Sequence, residues 1–276
     1  MDDIFKIAIC QLKVTNDKHA NTVKAVDMIK RAKENKAAIV VLPEMFNCPY
    51  DNSLFSQFAE SEEDGDTLAI ISKIAKELGV YIVAGSIPER SEDKIYNTSF
   101  IFDGEGKRIG KHRKMHLFDI DVPGKIQFKE SEVLSLGNNI TVLDTEMCKI
   151  GVAICYDMRF PELFRMMTLK GAKLIIIPAA FNMVTGPAHW EPLIRMRALD
   201  NQVYVVAASP ARDEMASYIA YGNSMVADPW GNIICATDEK EGILYADIDL
   251  TIVDKIREEL PVLKHRRTDI YDVIEK

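Results

Sequence analysis

Short apolar runs alternate with longer amphipathic stretches along the first third of the chain. Residues 5–12 and 38–42 are apolar runs of strand length, and residues 21–36 between them carry apolar side chains at helical spacing. The same order recurs with a helix predicted over 67–78 and a strand over 80–85. This alternation of strand and helix predicts a layered α/β fold.

The second half of the chain continues the alternation and then changes to shorter strands. Residues 149–154 and 173–178 are predicted to be buried strands on either side of a helix over 161–170. A further helix from about 187 to 201 is predicted to lead into a strand over 203–208. Short strands, expected to be antiparallel, follow over 223–227, 232–236 and 242–248.

The composition is that of one globular domain. Hydrophobic residues make up 47% and charged residues 28% of the 276 residues, and this length is enough for a substantial core. Because no linker, repeat or low-complexity segment divides the sequence, residues 1–276 are predicted to form a single domain. The highly charged segment from about Val253 onward is predicted to lie on the surface or against a partner subunit.

The charge and the apolar runs exclude several kinds of partner. A net charge of −8 argues against nucleic acid, whose phosphates require a clustered excess of Lys and Arg. The longest buried-looking run, 174–181, is much shorter than the ~20 apolar residues that cross a bilayer. Residues 1–3 are acidic where a secretory signal would be basic, so we expect a cytoplasmic protein without a membrane span.

Metal and nucleotide chemistry have no sequence signature here. The five cysteines are odd in number, scattered and free of Cys-x-x-Cys pairs, which argues against disulfides and zinc. Dinucleotide folds need glycines directly after the first strand, yet the first glycine is Gly65. There is no Walker-type loop, and the five histidines are dispersed. We therefore expect a site that works without cofactor or metal.

Cys155 is placed where a nucleophile would be useful. It follows the apolar run 150–154 and precedes the predicted helix over 161–170. A cysteine on such a strand-to-helix turn is exposed at the sheet edge, beside backbone N–H groups that can hold an oxyanion. A lone cysteine is more often a core residue, so position alone leaves both interpretations open.

Glu44 and Lys114 are the candidate partners of this cysteine. Glu44 follows the predicted strand over 38–42, and a carboxyl group desolvated there has a raised pKa, as a base for a thiol requires. Lys114 lies where the basic run 107–114 becomes apolar, whereas most charges in such runs are solvated. A solvated or helix-capping role remains open for each residue taken separately.

Three motifs resemble those of the nitrilase superfamily. They are Leu-Pro-Glu at 42–44, Arg-Lys-Met-His-Leu at 113–117 and Ile-Cys-Tyr-Asp-Met-Arg-Phe-Pro-Glu at 154–162, in the order found in that family. The resemblance extends to Asp-Pro-Trp-Gly at 228–231 and so covers nearly the whole chain. It implies a four-layer α-β-β-α sandwich of the nitrilase type, a Glu-Lys-Cys triad without cofactor, and a homodimer or higher homo-oligomer.

Further segments most resemble the ω-amidase branch of this superfamily. They include residues 118–126 with Glu130, residues 181–190, and residues 200–202 followed by 208–212. The resemblance implies hydrolysis of the terminal amide of a small carboxylate-bearing substrate of the 2-oxoglutaramate or succinamate type. A deaminated-glutathione amidase or an N-carbamoyl amide hydrolase with the same triad is an alternative, and a non-catalytic binding protein on the same sandwich is another.

The expected mechanism assigns a role to each residue of the triad. Glu44 serves as general base and acid, Cys155 as nucleophile, and Lys114 holds the oxyanion together with the backbone N–H of Tyr156. Glu130 matches a second glutamate of the family, although a surface-loop position is equally open.

Recognition of the substrate carboxylate requires a cation or a strong donor at the far end of the pocket. Arg159 and Tyr50 are the candidates, although Arg159 could instead pair with Asp157 or Glu162, and Tyr50 could simply pack. Two aromatic residues are candidates for the pocket wall, with a purely structural core role as the alternative: Phe118 and Phe181.

Overall fold

The computed structural model describes residues 3–276, which form sixteen strands and six α-helices. The strands are β1 (Ile4–Gln11), β2 (Ile39–Val41), β3 (Glu60–Ser61), β4 (Tyr81–Val83), β5 (Ile87–Ser91), β6 (Lys94–Phe102), β7 (Arg108–Arg113), β8 (Asp119–Val122), β9 (Ile126–Lys129), β10 (Thr141–Asp144), β11 (Lys149–Val152), β12 (Leu174–Pro178), β13 (Tyr204–Ala208), β14 (Met225–Ala227), β15 (Ile233–Ala236) and β16 (Gly242–Asp249). The helices are α1 (Lys18–Glu34), α2 (Asn52–Phe58), α3 (Asp66–Leu78), α4 (Pro161–Leu169), α5 (Gly186–Asn201) and α6 (Leu250–Glu259). Two 3₁₀ turns span Glu130–Glu132 and Cys155–Arg159.

The strands form two large sheets and one hairpin. The first sheet has eight strands in the order β16-β1-β2-β4-β6-β5-β3, with β7 paired to β6. The second has six strands in the order β10-β11-β12-β13-β14-β15, and β8 pairs with β9 outside both sheets. Strands β1, β2 and β4 are parallel neighbours, as are β11, β12 and β13. The C-terminal strands pair antiparallel, as predicted.

Alternating side chains of the parallel strands separate the molecule into layers. Side chains from both sheets meet in one buried cluster that includes Ile7, Ile9, Val41, Val152, Ile176 and Val206. The opposite face of the first sheet packs on α1 and α3, and that of the second packs on α4 and α5. Both faces of each sheet are therefore buried, which explains the continuous apolar runs. The result is the four-layer α-β-β-α sandwich that was predicted.

The predicted helices and strands are present with small shifts at their ends. The first helix begins at Lys18 instead of residue 21, because Asp17 caps it by accepting a hydrogen bond from the Ala20 N–H. Helix α3 ends at Gly79, whose φ of 59° is in the left-handed region that favours glycine.

The prediction that the chain lies on the surface from Val253 onward is wrong at its start. Leu250 and Val253 belong to α6 and are buried in the cluster between the sheets. Ile256, one turn further along the same helix, is also buried. The charged residues of α6 face outward and its apolar residues form one buried stripe. The prediction failed because it considered the high charge of the segment and not the helical spacing of its apolar residues. None of the residues after Glu259 is buried, so the surface prediction applies to that shorter tail.

Two negative findings concern the described part of the chain only. Among residues 3–276, no helix is long and apolar enough to cross a membrane. Within the same range, no group of three or more His, Cys, Asp and Glu side chains is placed to hold a metal ion.

Glu89 anchors strand β7, which leads directly to Lys114. The Glu89 side chain is almost fully buried and accepts hydrogen bonds from Thr98 (2.6 Å), from Lys111 (2.8 Å) and from Arg113 (2.7 and 2.8 Å). Burial alone would raise the pKa of this carboxyl group, but these donors outweigh it and lower the pKa to about 2. The ion pairs of Lys111 and Arg113 with Glu89 thus fix β7 against β5.

A Glu89→Gln substitution tests this anchor. Because the folded-state pKa is depressed, the ionised carboxylate stabilises the fold above pH 4.5, and this stability is lost as the pH falls from 4.5 towards 2. We expect the variant to lose about 2 kcal/mol of unfolding free energy at pH 7, and less below pH 4.5. Urea unfolding between pH 7 and 3.5 measures this difference. The exposed Glu105→Gln is the control, and an equal pH dependence in Glu89→Gln and the native protein would contradict the anchor.

Candidate active site

Cys155 lies at a sharp turn directly after the second strand of the second sheet. Strand β11 ends at Val152, and the 3₁₀ turn begins at Cys155 itself. The φ of Cys155 is 44°, in the left-handed region that is unfavourable for a residue with a side chain. The thiol is buried, with 4% of the residue exposed, and it interacts with the backbone N–H of Ala180. A strained turn of this kind holds a nucleophile in one orientation.

Glu44 lies shortly after β2, at the carboxyl ends of the parallel strands of the first sheet, and is fully buried. Its Oε1 atom accepts hydrogen bonds from Asn97 Nδ2 (2.8 Å) and from Lys114 Nζ (3.0 Å). Among the described residues, its buried Oε2 atom has no hydrogen-bond partner. Burial raises the pKa of Glu44 despite the opposing charge of Lys114. Oε2 is therefore available to accept a proton.

Lys114 directly follows β7 and is also fully buried. Its ammonium group donates to three oxygens: Glu130 Oε1 (2.9 Å), Glu44 Oε1 (3.0 Å) and the Tyr50 hydroxyl (3.2 Å). Burial by itself would lower the pKa of Lys114, but the charges of Glu130 and Glu44 raise it above its ordinary value. Lys114 is therefore a permanent cation, and all three of its protons point at the site.

Glu130 is buried within the same cluster and is not a surface-loop residue. It lies in the 3₁₀ turn after β9, and its Oε1 atom accepts from both Lys114 and the Tyr50 hydroxyl. Its Oε2 atom accepts the backbone N–H of Phe118 at 2.6 Å. Glu130 is therefore a second carboxylate partner of Lys114, in addition to Glu44.

The cluster has an excess of negative charge that bears on the thiol. Two carboxylates, Glu44 and Glu130, surround the single ammonium of Lys114. Burial, followed by the charge of Glu44, raises the pKa of the Cys155 thiol well above its ordinary value, while Lys114 opposes this rise. Burial thus favours the protonated form of both the Cys155 thiol and the Glu44 carboxyl group.

A cavity of about 350 Å³ reaches Glu44 and Tyr50 from the surface, while Cys155, Lys114 and Glu130 are not part of its lining. The residues that line it include Glu44, Tyr50 and Tyr218. The volume is in the range of small-molecule sites. The rings of Tyr50 and Tyr218 lie 4.6 Å apart and form one side of the cavity.

The other predicted binding residues lie around the Cys155 turn and not in the lining of this cavity. Phe118 is buried edge-on to Tyr156, with ring centroids 5.3 Å apart. Phe181 is buried with its centroid 5.0 Å from that of Trp190. The Arg159 guanidinium is half-buried and lies over the rings of Tyr156 and Phe181, at 5.6 and 5.2 Å.

Arg159 does not form the ion pairs that were considered from the sequence. Within residues 3–276 it has no carboxylate partner, and its Nη1 atom lies 3.3 Å from His189 Nδ1. Asp157 instead contacts His112 and His116. The guanidinium therefore keeps its charge available beside the Cys155 turn.

Two buried polar residues were not predicted from the sequence as members of the site, although Asp157 was considered as a partner of Arg159. Asn97 lies on β6, donates to Glu44, and accepts the backbone N–H of Lys114 at 2.8 Å. Asp157, two residues after Cys155, is fully buried. The sequence gives little signal for Asn97, because it is one of three consecutive polar residues at 97–99, all of which the structure buries.

The chain is similar over nearly its whole length to hydrolases of carbon–nitrogen bonds. The family model described as carbon-nitrogen hydrolase matches residues 6–258, and the chain belongs to this family. Omega-amidase NIT2-A of Xenopus laevis is 50% identical over 272 residues, which cover 99% of this chain and 98% of the relative. Omega-amidase NIT2 of Homo sapiens is 47% identical over 269 residues, covering 98% and 97%. The predicted superfamily is thus confirmed.

Solved structures agree with the sequence relatives. Saccharomyces cerevisiae Nit3, a member of branch 10 of the nitrilase superfamily, superposes with a TM-score of 0.88 at 44% identity and covers 96% of this chain and 97% of its own. The C. elegans NitFhit protein gives a TM-score of 0.90 at 36% identity and covers 99% of this chain and 67% of its own. The predicted nitrilase-type sandwich is confirmed by both.

Proposed function

We propose that this chain is an ω-amidase. It hydrolyses the terminal amide of a small carboxylate-bearing substrate, of the 2-oxoglutaramate or succinamate type, to the acid and ammonia through a thioester on Cys155. The observation that carries this proposal is the buried contact of Lys114 with Glu44 beside the raised-pKa thiol of Cys155. The full-length similarity to omega-amidases supports the choice of substrate.

The first half-reaction forms the thioester. The Cys155 thiol transfers its proton to Glu44, whose Oε2 atom has no other partner among the described residues, and the sulfur attacks the amide carbon. The oxyanion is held by Lys114 and the backbone N–H of Tyr156. The longest contact of the ammonium, 3.2 Å to the Tyr50 hydroxyl, is the one that the substrate oxygen replaces. Glu44 then protonates the leaving nitrogen, and ammonia departs.

The second half-reaction consumes one water. Glu44, again ionised, takes a proton from water, and the resulting hydroxide attacks the thioester carbon. The carbon–sulfur bond breaks, the proton returns to the thiolate, and the carboxylic acid product leaves. Glu130 holds Lys114 in place throughout, since its contact with the ammonium group is not the one that the substrate oxygen replaces. The residues of the chain supply every proton transfer.

Arg159 is the proposed partner of the substrate carboxylate. The Tyr50 hydroxyl is already bonded within the cluster, so it is less suited to this role. Arg159 has no ion-pair partner in residues 3–276 and packs on Phe181, the residue after Ala180, whose N–H contacts the thiol. In this arrangement Phe118 and Phe181 support the turn and the guanidinium by packing.

Succinamate is expected to react faster than succinamide, its uncharged diamide counterpart, because only succinamate carries the carboxylate. We expect Arg159→Gln to raise KM for succinamate at least about tenfold, since a charge-assisted hydrogen bond is lost, and to leave succinamide hydrolysis within about threefold. Ammonia release measures both. The control is Arg195→Gln on the surface of α5, where Arg195 pairs with Glu191.

The same assay distinguishes the other enzyme branches. Deaminated glutathione and N-carbamoyl amino acids are included as substrates, and faster turnover of either one would replace the ω-amidase proposal. Equal rates for succinamate and succinamide would remove the recognition of a carboxylate. A cytoplasmic location and a homodimer or higher homo-oligomer stay predictions from the sequence.

A further inference from the structure

Asp157 accepts hydrogen bonds from both segments that carry the catalytic groups. On the nucleophile side, its Oδ2 atom accepts the backbone N–H of Ile154 at 3.0 Å. On the lysine side, its Oδ1 atom accepts the backbone N–H groups of Met115 (3.2 Å) and His116 (2.9 Å). Ile154 directly precedes Cys155, and Met115 directly follows Lys114. The Asp157 carboxylate therefore links the segment of Cys155 to the segment of Lys114.

Two histidine rings complete the contacts of Asp157. His112 Nε2 lies 3.0 Å from Oδ2, and His116 Nδ1 lies 2.7 Å from Oδ1. The ring of His112 is buried and its Nδ1 atom contacts Thr141 Oγ1 on β10 at 3.0 Å. The ring of His116 is half-exposed and stacks on Phe160, with centroids 3.6 Å apart. Every donor in this set suits an ionised carboxylate.

The position of Asp157 in the fold explains why such a link is useful. Lys114 follows β7 of the first sheet, whereas Cys155 follows β11 of the second sheet. The apolar cluster between the sheets holds them together but has no directional contacts that fix one catalytic segment against the other. Hydrogen bonds are directional, and those of Asp157 span this gap. Although burial would raise its pKa, the histidines and the Ile154 N–H lower it, so Asp157 stays ionised.

We propose that Asp157, through His112, His116 and the surrounding backbone N–H groups, is a positioning residue that holds the Lys114 ammonium at its working distance from the Cys155 thiol. This inference rests on the proposed function, because it assigns Asp157 a role through the residues of that site. A displacement of about 1 Å between reacting groups can lower the rate about 100-fold.

Glu60 provides the matched control for a purely structural role. It is a buried carboxylate with a similar set of donors: Thr67 N (3.0 Å), Thr67 Oγ1 (2.6 Å) and Lys18 Nζ (3.1 Å). Its contacts tie the start of α3 to the start of α1 and include neither catalytic segment. Glu60→Gln should therefore lower stability and leave the chemistry of Cys155 unchanged.

The experiment compares Asp157→Asn, His116→Phe, His116→Asn and Glu60→Gln in the full chain. His116→Phe keeps a ring to stack on Phe160 but loses the donor, whereas His116→Asn restores an amide N–H near the position of Nδ1. For each variant, kcat and KM for succinamate, thermal unfolding, and the pH profile of Cys155 alkylation by iodoacetamide are measured. Peptide mass spectrometry assigns the alkylation to Cys155 and separates it from the four other free cysteines.

Asp157→Asn is expected to lower kcat about 100-fold with KM changed less than about threefold. Its alkylation profile should shift to higher pH, because Lys114, which lowers the thiol pKa, is no longer held nearby. If the substitution only removed the negative charge of Asp157 and Lys114 stayed in place, the thiol pKa would fall and the profile would shift to lower pH. His116→Phe should lower kcat about tenfold, and His116→Asn should recover most of that loss.

Two results would overturn the proposal. One is an unchanged kcat and alkylation profile in folded Asp157→Asn, or in His116→Phe if the first variant does not fold. The other is a fall in kcat and a shift of the alkylation profile to higher pH in Glu60→Gln that match those of Asp157→Asn. Alkylation requires no turnover, so a native protein that fails to hydrolyse succinamate refutes the proposed substrate while the profiles still decide the role of Asp157.

Discussion

A Cys155→Ala variant is expected to release ammonia from succinamate at least about 1,000-fold more slowly than the native protein. The thiol is the nucleophile that attacks the amide in the proposed reaction, and without it Glu44 can only activate water. Alanine occupies less volume than cysteine and keeps the same backbone, so the turn at φ 44° should form as before. Steady-state ammonia release, with thermal unfolding to verify the folded state, measures the effect.

Cys10→Ala is the matched control for this prediction. Cys10 is as buried as Cys155 but lies on β1 within the cluster that packs on α1 and α3. Its loss should cost some stability and leave kcat within about threefold, because a small core truncation acts on the fold and not on the site. Ammonia release at a normal rate by folded Cys155→Ala would refute the thioester mechanism.

Lys114→Met is expected to lower both activity and stability. Among residues 3–276 it removes the only cation paired with Glu44 and Glu130, so the oxyanion loses its charged donor. Removing one partner of a buried ion pair costs about 3–5 kcal/mol of unfolding free energy, because the remaining charge is left unpaired. We expect kcat to fall at least about 1,000-fold.

The stability loss in Lys114→Met should depend on pH with a defined sign. The pKa of Glu44, which burial already raises, rises further without the opposing charge of Lys114. A raised folded-state pKa gives stability below the unfolded value of 4.5 that is lost as the pH increases. The variant should therefore be closest to the native protein near pH 5 and weakest near pH 8 in urea unfolding. Lys107→Met, exposed in the same basic run, is the control, and an equal loss there would contradict the argument.

The positions of Cys155 and Glu44 could be predicted because local patterns determine them. Both follow short apolar runs, and the carboxyl ends of parallel strands are where α/β sheets place their sites. The choice of Lys114 needed the family resemblance, since Lys111 is equally basic. The structure shows the physical reason for the difference: Lys111 points to the face of β7 that binds Glu89, whereas Lys114 points to Glu44. Successive side chains of a strand point to opposite faces, so Lys111 and Lys114 lie on different faces, but the sequence does not show which face is buried.

Other features of the site depend on contacts between segments distant in sequence. Asn97 meets Glu44 across 53 positions and His112 meets Asp157 across 45, so neither pair is visible in a local pattern. The burial of Glu130 depends on the same long-range packing around Lys114. Val253 was assigned to the surface because its neighbours are charged, although one stripe of α6 packs between the sheets.

The proposed mechanism requires a covalent intermediate on Cys155, which mass spectrometry of acid-quenched reactions detects. Native protein is mixed with saturating succinamate, quenched at successive times and digested. We predict that the peptide containing Cys155 gains the mass of succinamate minus ammonia, that hydroxylamine removes this mass, and that Cys155→Ala never acquires it. Release of ammonia at the full rate with this peptide unmodified at every time would contradict the account.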